Sequence, residues 1–358
     1  MNQMKAFFIP YYSNNPYQRI LADSLRGYGV EVKYIKYIPN RIFPLLRAAR
    51  LYGIPDIVHL HWTDRFMLGK STILSILKFI HFFLELLLLK ILGVRLIWTI
   101  HNISNHEKRH PTLEKHFQRI CCMLLYNKII VMSSFTVNAA FQNYKLPEHL
   151  RIKFTLIPHG HYINSYRNKI SKAEARNKLG ISHEKKVFLY FGQIRSYKGI
   201  FYLIEEFKKL SDSQAILLVV GKTSTESLRH EIENFCHGYN QIKTFLRFVP
   251  DNEVEIFMNA SDAVVLPFQD ILNSGSVILA MSFGKAIICP KMGSIPEVMD
   301  KNGGFLYNPR EESGLQNAIH QALNADLMTP GQYNYQKATS FDWNQIAQDT
   351  YNVYNAER

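Results

Sequence analysis

Two α/β lobes, each built on a parallel sheet, are the architecture the sequence predicts. Two observations lead there, and a third bears on partners. The chain has 358 residues, more than one ordinary domain holds and enough for two of roughly 150 to 200 residues with separate cores. Short apolar runs alternate with helical patterns from end to end, and strands separated by helices must pair in parallel through crossovers. The basic excess is one-sided: residues 1–165 hold 21 Lys+Arg against 8 Asp+Glu, residues 166–358 hold 21 of each, and the whole net charge of +13 belongs to the first half.

In the first half the strand-like runs are KAFFIP, VEVKYI, IPDIVHL, VRLIWTI and KIIVMS, rich in β-branched and aromatic residues. A helix over residues 17–29 follows the first, and the apolar segment 73–92 precedes the fourth. In the second half KVFLYFG, AILLVVG, TFLRFVP, AVVLPF and AIICP read as strands, with helices over 202–210 and 225–236, a short one ending near Met258, and one after Ser274. Pro, Gly and turn formers in residues 156–168 mark the boundary. The expected units are therefore 1–165 and 166–340, with 341–358 a terminal amphipathic helix whose packing partner stays open, a return to the first lobe being one arrangement.

Composition narrows the class. With 47% hydrophobic and 13% aromatic residues the chain is globular. Cys121, Cys122, Cys236 and Cys289 fit no disulfide or metal spacing, as in a reduced compartment. The start MNQMKAFFIPYY has an apolar run too short for a secretory h-region, so the expected location is cytoplasmic, extending to the inner face of the membrane. The basic half suits anionic lipid headgroups or a phosphorylated substrate; no nucleic-acid motif accompanies it, so nucleic acid is not an expected partner. Residues 73–92, ILSILKFIHFFLELLLLKIL, nearly reach spanning length, but Lys78, Glu85 and Lys90 interrupt them. Ser75, Lys78, His81 and Glu85 make one polar stripe on an otherwise apolar helix. It either packs on a sheet or also touches a membrane surface.

Ligands of open α/β sheets bind beyond the carboxyl ends of the strands, and polar residues gather at those ends. After KVFLYFG come Gln193, Arg195 and Lys198, two cations beside a helix start, fit to neutralise a diphosphate. Gly221 and Lys222 end the next strand and Pro250 the one after, where a nucleotide base has room to pack. Asn273, Ser274, Gly275 and Ser276 open a helix whose amides face an anion, with ordinary N-capping by Ser274 the competing account. In the first half Asn15 and Tyr17, His61 and Trp62, and His101 and Asn102 also follow strands. His159, Gly160 and His161 sit at the boundary. His59 and His61 lack a third ligand at metal spacing and no Asp-x-Asp occurs, so no metal and no cofactor is expected.

The succession FGQIRSYKG, LLVVGK, FVPDNEVEIFMNASDAVVLPF and SGSVILAMSFGKAIICPKMGSIPEV resembles the donor-binding lobe of nucleotide-sugar glycosyltransferases with the two-lobed GT-B fold, in particular glycosyltransferase family 4, group 1. The resemblance spans about residues 186–300. It implies two Rossmann-like lobes facing a cleft, a nucleotide-diphosphate sugar held mainly by the second, and an acceptor approaching the first. It assigns the strand ending at His101 to the donor sugar, and places Asn15, Tyr17, His61, Trp62, Asn102, His159, Gly160 and His161 around cleft and acceptor. One motif differs. The family's two glutamates, spaced by seven residues, correspond to Ile271 and Leu279, neither able to accept a hydrogen bond, with Asp270 one residue from the first. Both retaining and inverting outcomes therefore stay open.

A glycosyl transferase must stabilise a departing nucleoside diphosphate. Without a metal, that work falls to Arg195, Lys198 and the amides of 274–276. An inverting enzyme also needs a base, for which Asp64 and Glu107 follow suitable strand ends. The expected activity is hexose transfer from a nucleotide sugar, GDP-mannose first and UDP-sugars next, to a lipid-linked or saccharide acceptor in surface polysaccharide or glycolipid synthesis, with peripheral membrane association through the basic lobe. A nucleotide-sugar epimerase of the same fold and a non-catalytic membrane-surface protein are the alternatives.

Overall fold

The computed structural model describes residues 3–13, 15–38, 43–105, 109–210 and 215–356. The chain divides into two compact units, Met1–Gly160 with Asp342–Arg358, and His161–Phe341. The first boundary thus falls after Gly160 rather than after residue 165, and the terminal segment belongs to the first unit.

In the first unit β1 (Met4–Ile9), β2 (Val30–Tyr34), β3 (Ile57–Leu60), β4 (Arg95–Thr99), β5 (Lys128–Val131) and β6 (Phe154–Leu156) form a parallel sheet in the order β2-β1-β3-β4-β5-β6. Phe8 pairs with Tyr34 and His59, and Leu60 with Ile9 and Trp98. This register brings the residues after β1, β3 and β4 to one edge. Chain order reverses between β1 and β3, the kind of switch point where open sheets leave a crevice.

The second unit holds β7 (Lys186–Phe191), β8 (Ala215–Val220), β9 (Ile242–Phe245), β10 (Ala263–Val265), β11 (Ala286–Pro290) and β12 (Gly304–Tyr307). Their parallel order is β12-β11-β10-β7-β8-β9, a doubly wound sheet with its switch between β7 and β10. Every residue of β8 is buried, as a strand covered by helices on both faces requires. The run TFLRFVP contributes less than expected. β9 ends at Phe245, where Arg247 N turns back to Phe245 O at 2.9 Å. Pro250 therefore lies in a turn closed by Glu253 N at 2.9 Å, not at a strand's end. The sheet edges β6 and β12 are short strands, FTL and GFLY, with few buried positions.

The apolar segment is a helix, Thr72–Ile91, and its polar stripe points into the unit. Glu85 Oε1 accepts from Leu45 N (2.7 Å) and Leu46 N (2.9 Å), capping the helix Pro44–Tyr52. His81 Nε2 lies 3.2 Å from Phe43 N. Ser75 Oγ accepts from Gly69 N at 2.9 Å, and Lys78 Nζ donates to Arg65 O and Leu68 O. By length and composition alone this helix could cross a bilayer, but its polar side chains are bonded to main chain of the same unit.

The terminal helix Trp343–Asn355 packs on Pro16–Arg26. Tyr354 OH meets His59 Nδ1 at 2.6 Å, and the Arg95 guanidinium donates to the carbonyls of Tyr354 and Ala356. The four cysteines are free and buried.

Candidate functional site

At the carboxyl edge of the second sheet, the β7 and β8 loops are tied together. Ile194 N donates to Lys222 O at 2.9 Å, and Ile194 pairs with Thr223. The approach requires glycine: a Cβ on Gly221 would stand 1.8 Å from Gly192 O, and one on Gly199 2.0 Å from Pro267 O. The second contact draws the Arg195–Lys198 loop onto the end of β10, across the switch point. A Cβ on Gly192 would lie 3.3 Å from Ser276 Oγ, so the β7 loop and the start of the helix Gly275–Ser282 are neighbours. Two of the elements expected to hold phosphate converge here.

Ser274 caps that helix, its Oγ accepting from Val277 N at 3.2 Å. The N–H groups of a helix's first turn have no intrahelical carbonyl to bond, so capping and anion binding share this end rather than exclude each other. Arg195 Nη2 donates to Gln193 Oε1 at 3.3 Å, which aims the guanidinium along the loop. Burial, reinforced by the Arg195 charge, pushes the Lys198 ammonium down to about 8. An anion beside it would restore the charge. Sequence reasoning missed Tyr197. Burial raises its half-buried hydroxyl, with smaller opposing effects from the Arg195 and Asp270 charges; an aromatic between two cations was the available signal. Lys222 is exposed and Asn273 half-buried. Leu279 is buried and the half-buried Ile271 is held by the β11 loop, where Ser294 N donates to Leu272 O at 2.9 Å. Asp270, the nearest acid, is exposed.

The first sheet's edge carries a cluster of histidines. His59 is fully buried, with Tyr354 OH on Nδ1 and Thr99 Oγ1 on Nε2, both at 2.6 Å. Burial pushes it down to about 3. His61 stacks on it and its Nδ1 lies 3.1 Å from His101 Nε2. Trp62 stacks on His101 with centroids 4.2 Å apart. Burial, with smaller contributions from neighbouring imidazoles, lowers His61 and His101 well below 6.5, and burial holds His159 at about 4. The cluster is therefore neutral at physiological pH. A neutral imidazole pair shares one proton between facing nitrogens, and if His61 donates, His101 carries its own proton on Nδ1 and can give a hydrogen bond there.

Several expected cleft residues have structural employment. Asn15 Oδ1 caps the helix Pro16–Arg26 through Tyr17 N at 3.1 Å. Tyr17 is a core residue, its ring against His61, His101, His159 and Trp343. Gly160 makes room for Trp343, whose ring would lie 2.3 Å from a Cβ there. His159 Nδ1 contacts Gly160 O at 2.8 Å. His161 N donates to Phe341 O at 3.1 Å, joining the two ends of the second unit. Asp64 starts the helix Asp64–Met67, and its charge partly restores the Lys78 ammonium that burial lowers. Asn102 is half-buried beside His101. Glu107 lies outside the described residues. Among the described residues no group of three or more His, Cys, Asp or Glu is placed to hold a metal.

Two parallel α/β units, the second doubly wound with cations and a serine-rich helix start at its switch point, define the GT-B class. Comparison with known proteins gives the type within it. Residues 171–338 match the family described as Glycosyl transferases group 1. A GDP-mannose:glycolipid 4-beta-D-mannosyltransferase of Xanthomonas campestris pv. campestris is 25% identical over 348 residues, 96% of this chain and 89% of that protein. A lipopolysaccharide 1,2-N-acetylglucosaminetransferase of Salmonella typhimurium is 29% identical over 208 residues, 55% of this chain and 53% of that one. Among solved structures, sucrose-phosphate synthase from Thermosynechococcus elongatus superposes with a TM-score of 0.77 at 18% identity, covering 99% of this chain and 98% of that one. HepE of Anabaena with UDP-glucose gives 0.77 at 16% identity, covering 99% and 100%. The chain is a glycosyltransferase with the GT-B fold, and over residues 171–338 it is similar to the group 1 family.

Proposed function

We propose that the enzyme transfers a hexose from a nucleoside-diphosphate sugar to a lipid-linked or saccharide acceptor, with GDP-mannose as the expected donor and UDP-sugars next. One observation carries the donor reading: Gly192, at the start of the loop that bears Arg195 and Lys198, lies beside Ser276 near the sheet's switch point, a setting suited to a pyrophosphate. The named activity of the Xanthomonas relative, which aligns over nearly the whole chain, supports GDP-mannose and a glycolipid acceptor.

In transfer the acceptor oxygen bonds to the anomeric carbon, the bond from that carbon to the β-phosphate oxygen breaks, and the electron pair leaves with the diphosphate. Arg195, Lys198 and the amides at 274–276 lower the barrier to the extent that they bind the departing diphosphate better than the intact donor. With cations of the chain in that role, we propose that no metal is needed. His101, neutral, hydrogen-bonds the sugar. If the reaction inverts, Asp64 receives the acceptor proton; if it retains, the departing diphosphate oxygen takes that proton and no side-chain base of this kind is required. Incubating the protein with a panel of nucleotide sugars and a polyprenyl-linked acceptor, with and without EDTA, tests the reading. The expected outcome is chelator-insensitive release of GDP with a glycosylated lipid; turnover of no donor overturns it. The apolar Ile271 and Leu279 favour a second reading, binding without catalysis, for which isothermal titration would show donor binding while the same incubation gave no product.

A further inference from the structure

We propose that the helix Thr72–Ile91 lies in the surface of an anionic bilayer, its apolar face immersed and its polar stripe holding it to the first unit. The helix is apolar on its outward side as well as on the side that packs into the unit. Ser75, Phe79, Phe82, Glu85, Leu86 and Leu89 are buried, whereas Ile73 is 73% exposed, Leu77 59%, Leu84 53% and Ile91 72%. At about 100° per residue, positions 73, 77, 80, 84, 88 and 91 fall within an arc of about 80°. One apolar stripe thus runs the helix's whole length of about 30 Å. A stripe of that length exceeds what scattered surface leucines account for.

The patch does not stop at the helix. Lys90 Nζ donates to Leu124 O and Leu125 O, which places the end of the helix Pro111–Leu124, with exposed Met123 and Leu124, alongside. Glu85 holds the helix Pro44–Tyr52 on its other flank, where Arg47 and Arg50 are exposed, and exposed Lys70 precedes the N-terminus.

Charge selects the occupant. The first 165 residues carry 21 Lys+Arg against 8 Asp+Glu. Two copies meeting through this unit would bring like charge together, whereas an anionic leaflet attracts such a surface while the apolar stripe enters the acyl boundary. A spanning orientation would strip Ser75, Lys78, Glu85 and Lys90 from their main-chain partners, so the helix lies along the surface instead.

The test uses the full chain and vesicles, without any sugar substrate, so its result stands apart from the proposed transfer reaction. Co-sedimentation is measured with phosphatidylcholine vesicles with and without phosphatidylglycerol, for the parent and for Leu77→Glu with Leu84→Glu. Both positions are exposed, so the double variant should keep the parent's circular dichroism and nucleotide binding. The expected result is binding to the anionic vesicles, weakened by salt, and a loss of about tenfold or more in the variant. Three results overturn the proposal: no binding by the parent, equal binding by the folded variant, or a parent that sediments as a dimer while the variant is monomeric. Should the double variant not fold, Ile80→Gln alone gives the same reading with a smaller drop.

Discussion

Lys198 is the residue through which we propose that the fold is coupled to donor binding. Its ammonium is lowered to about 8 by burial and then by Arg195, so in the ligand-free protein it loses its proton as pH rises through that value. A diphosphate held as proposed would bind the protonated form and raise the bound pKa. Affinity should be flat below about pH 8 and fall by up to tenfold per pH unit above it, as isothermal titration with GDP and UDP would measure. Lys198→Gln should bind more weakly at pH 7 and lose this dependence; a variant with the parental slope would remove Lys198 from the diphosphate. Arg195→Ala should lose donor affinity by roughly 1.5–3 kcal/mol, the worth of a charge-assisted hydrogen bond. Among histidines, sequence separated roles less well. His59 and His61 looked alike in HLHW, yet His59 has both nitrogens committed internally while His61 Nε2 is buried with no partner among the described residues. Nothing local marks that difference, because Tyr354 arrives from the far end of the chain.

Glu85 acts at the scale of elements, since it fastens the outward-facing helix to the one beside it. Burial raises its carboxyl to about 7 although the amides of Leu46 and Leu45 oppose the shift. The sign follows: with a folded pKa above the unfolded 4.5, its contribution to stability is complete below about pH 4.5 and is lost as pH rises through about 7. Glu85→Gln should therefore gain stability relative to the parent between pH 5 and pH 8, read by urea unfolding at both; an unchanged difference would mean that the carboxyl ionises as freely as in water. The central strands were legible because apolar runs such as AILLVV must be covered on both faces. The edges β6 and β12 were not, because three or four residues with one modest apolar face carry no period. Nor was the inward turn of the polar stripe. The spacing of Ser75, Lys78, His81 and Glu85 gave the stripe, but its partners at Phe43, Leu45, Leu46, Arg65, Leu68 and Gly69 are known only once the neighbours are packed. In the second unit the loops after β7 and β8 were readable as strand ends, whereas the close approach of Gly199 to Pro267, which joins the first of them to the residues after β10, depends on strand order, which no local pattern states.

At the scale of the molecule, the chain leaves the first unit at Gly160 and returns to it at Asp342, so the first unit's core is completed last. Trp343, Ile346, Ala347, Val353 and Tyr354 enter the same apolar cluster as Phe8, Tyr17 and Leu21. Tyr354 satisfies His59, and Arg95 is bonded to the final turn's carbonyls. Ending the chain at Phe341 would expose that cluster and leave a buried imidazole nitrogen without its partner, a large combined loss for a unit of ordinary stability. The second unit keeps its own core, the contiguous cluster from Phe188 to Leu327. Hydrogen exchange of the truncated protein should therefore show lost protection in β1, β3 and β4 while β7, β8 and β10 stay protected, and GDP affinity should survive where acceptor transfer does not. Uniform loss across both sheets would show that the units do not fold independently. Tyr354→Phe, which removes only the hydroxyl, should reproduce a milder form of the same pattern, with a cost of about 1–3 kcal/mol confined to the first unit.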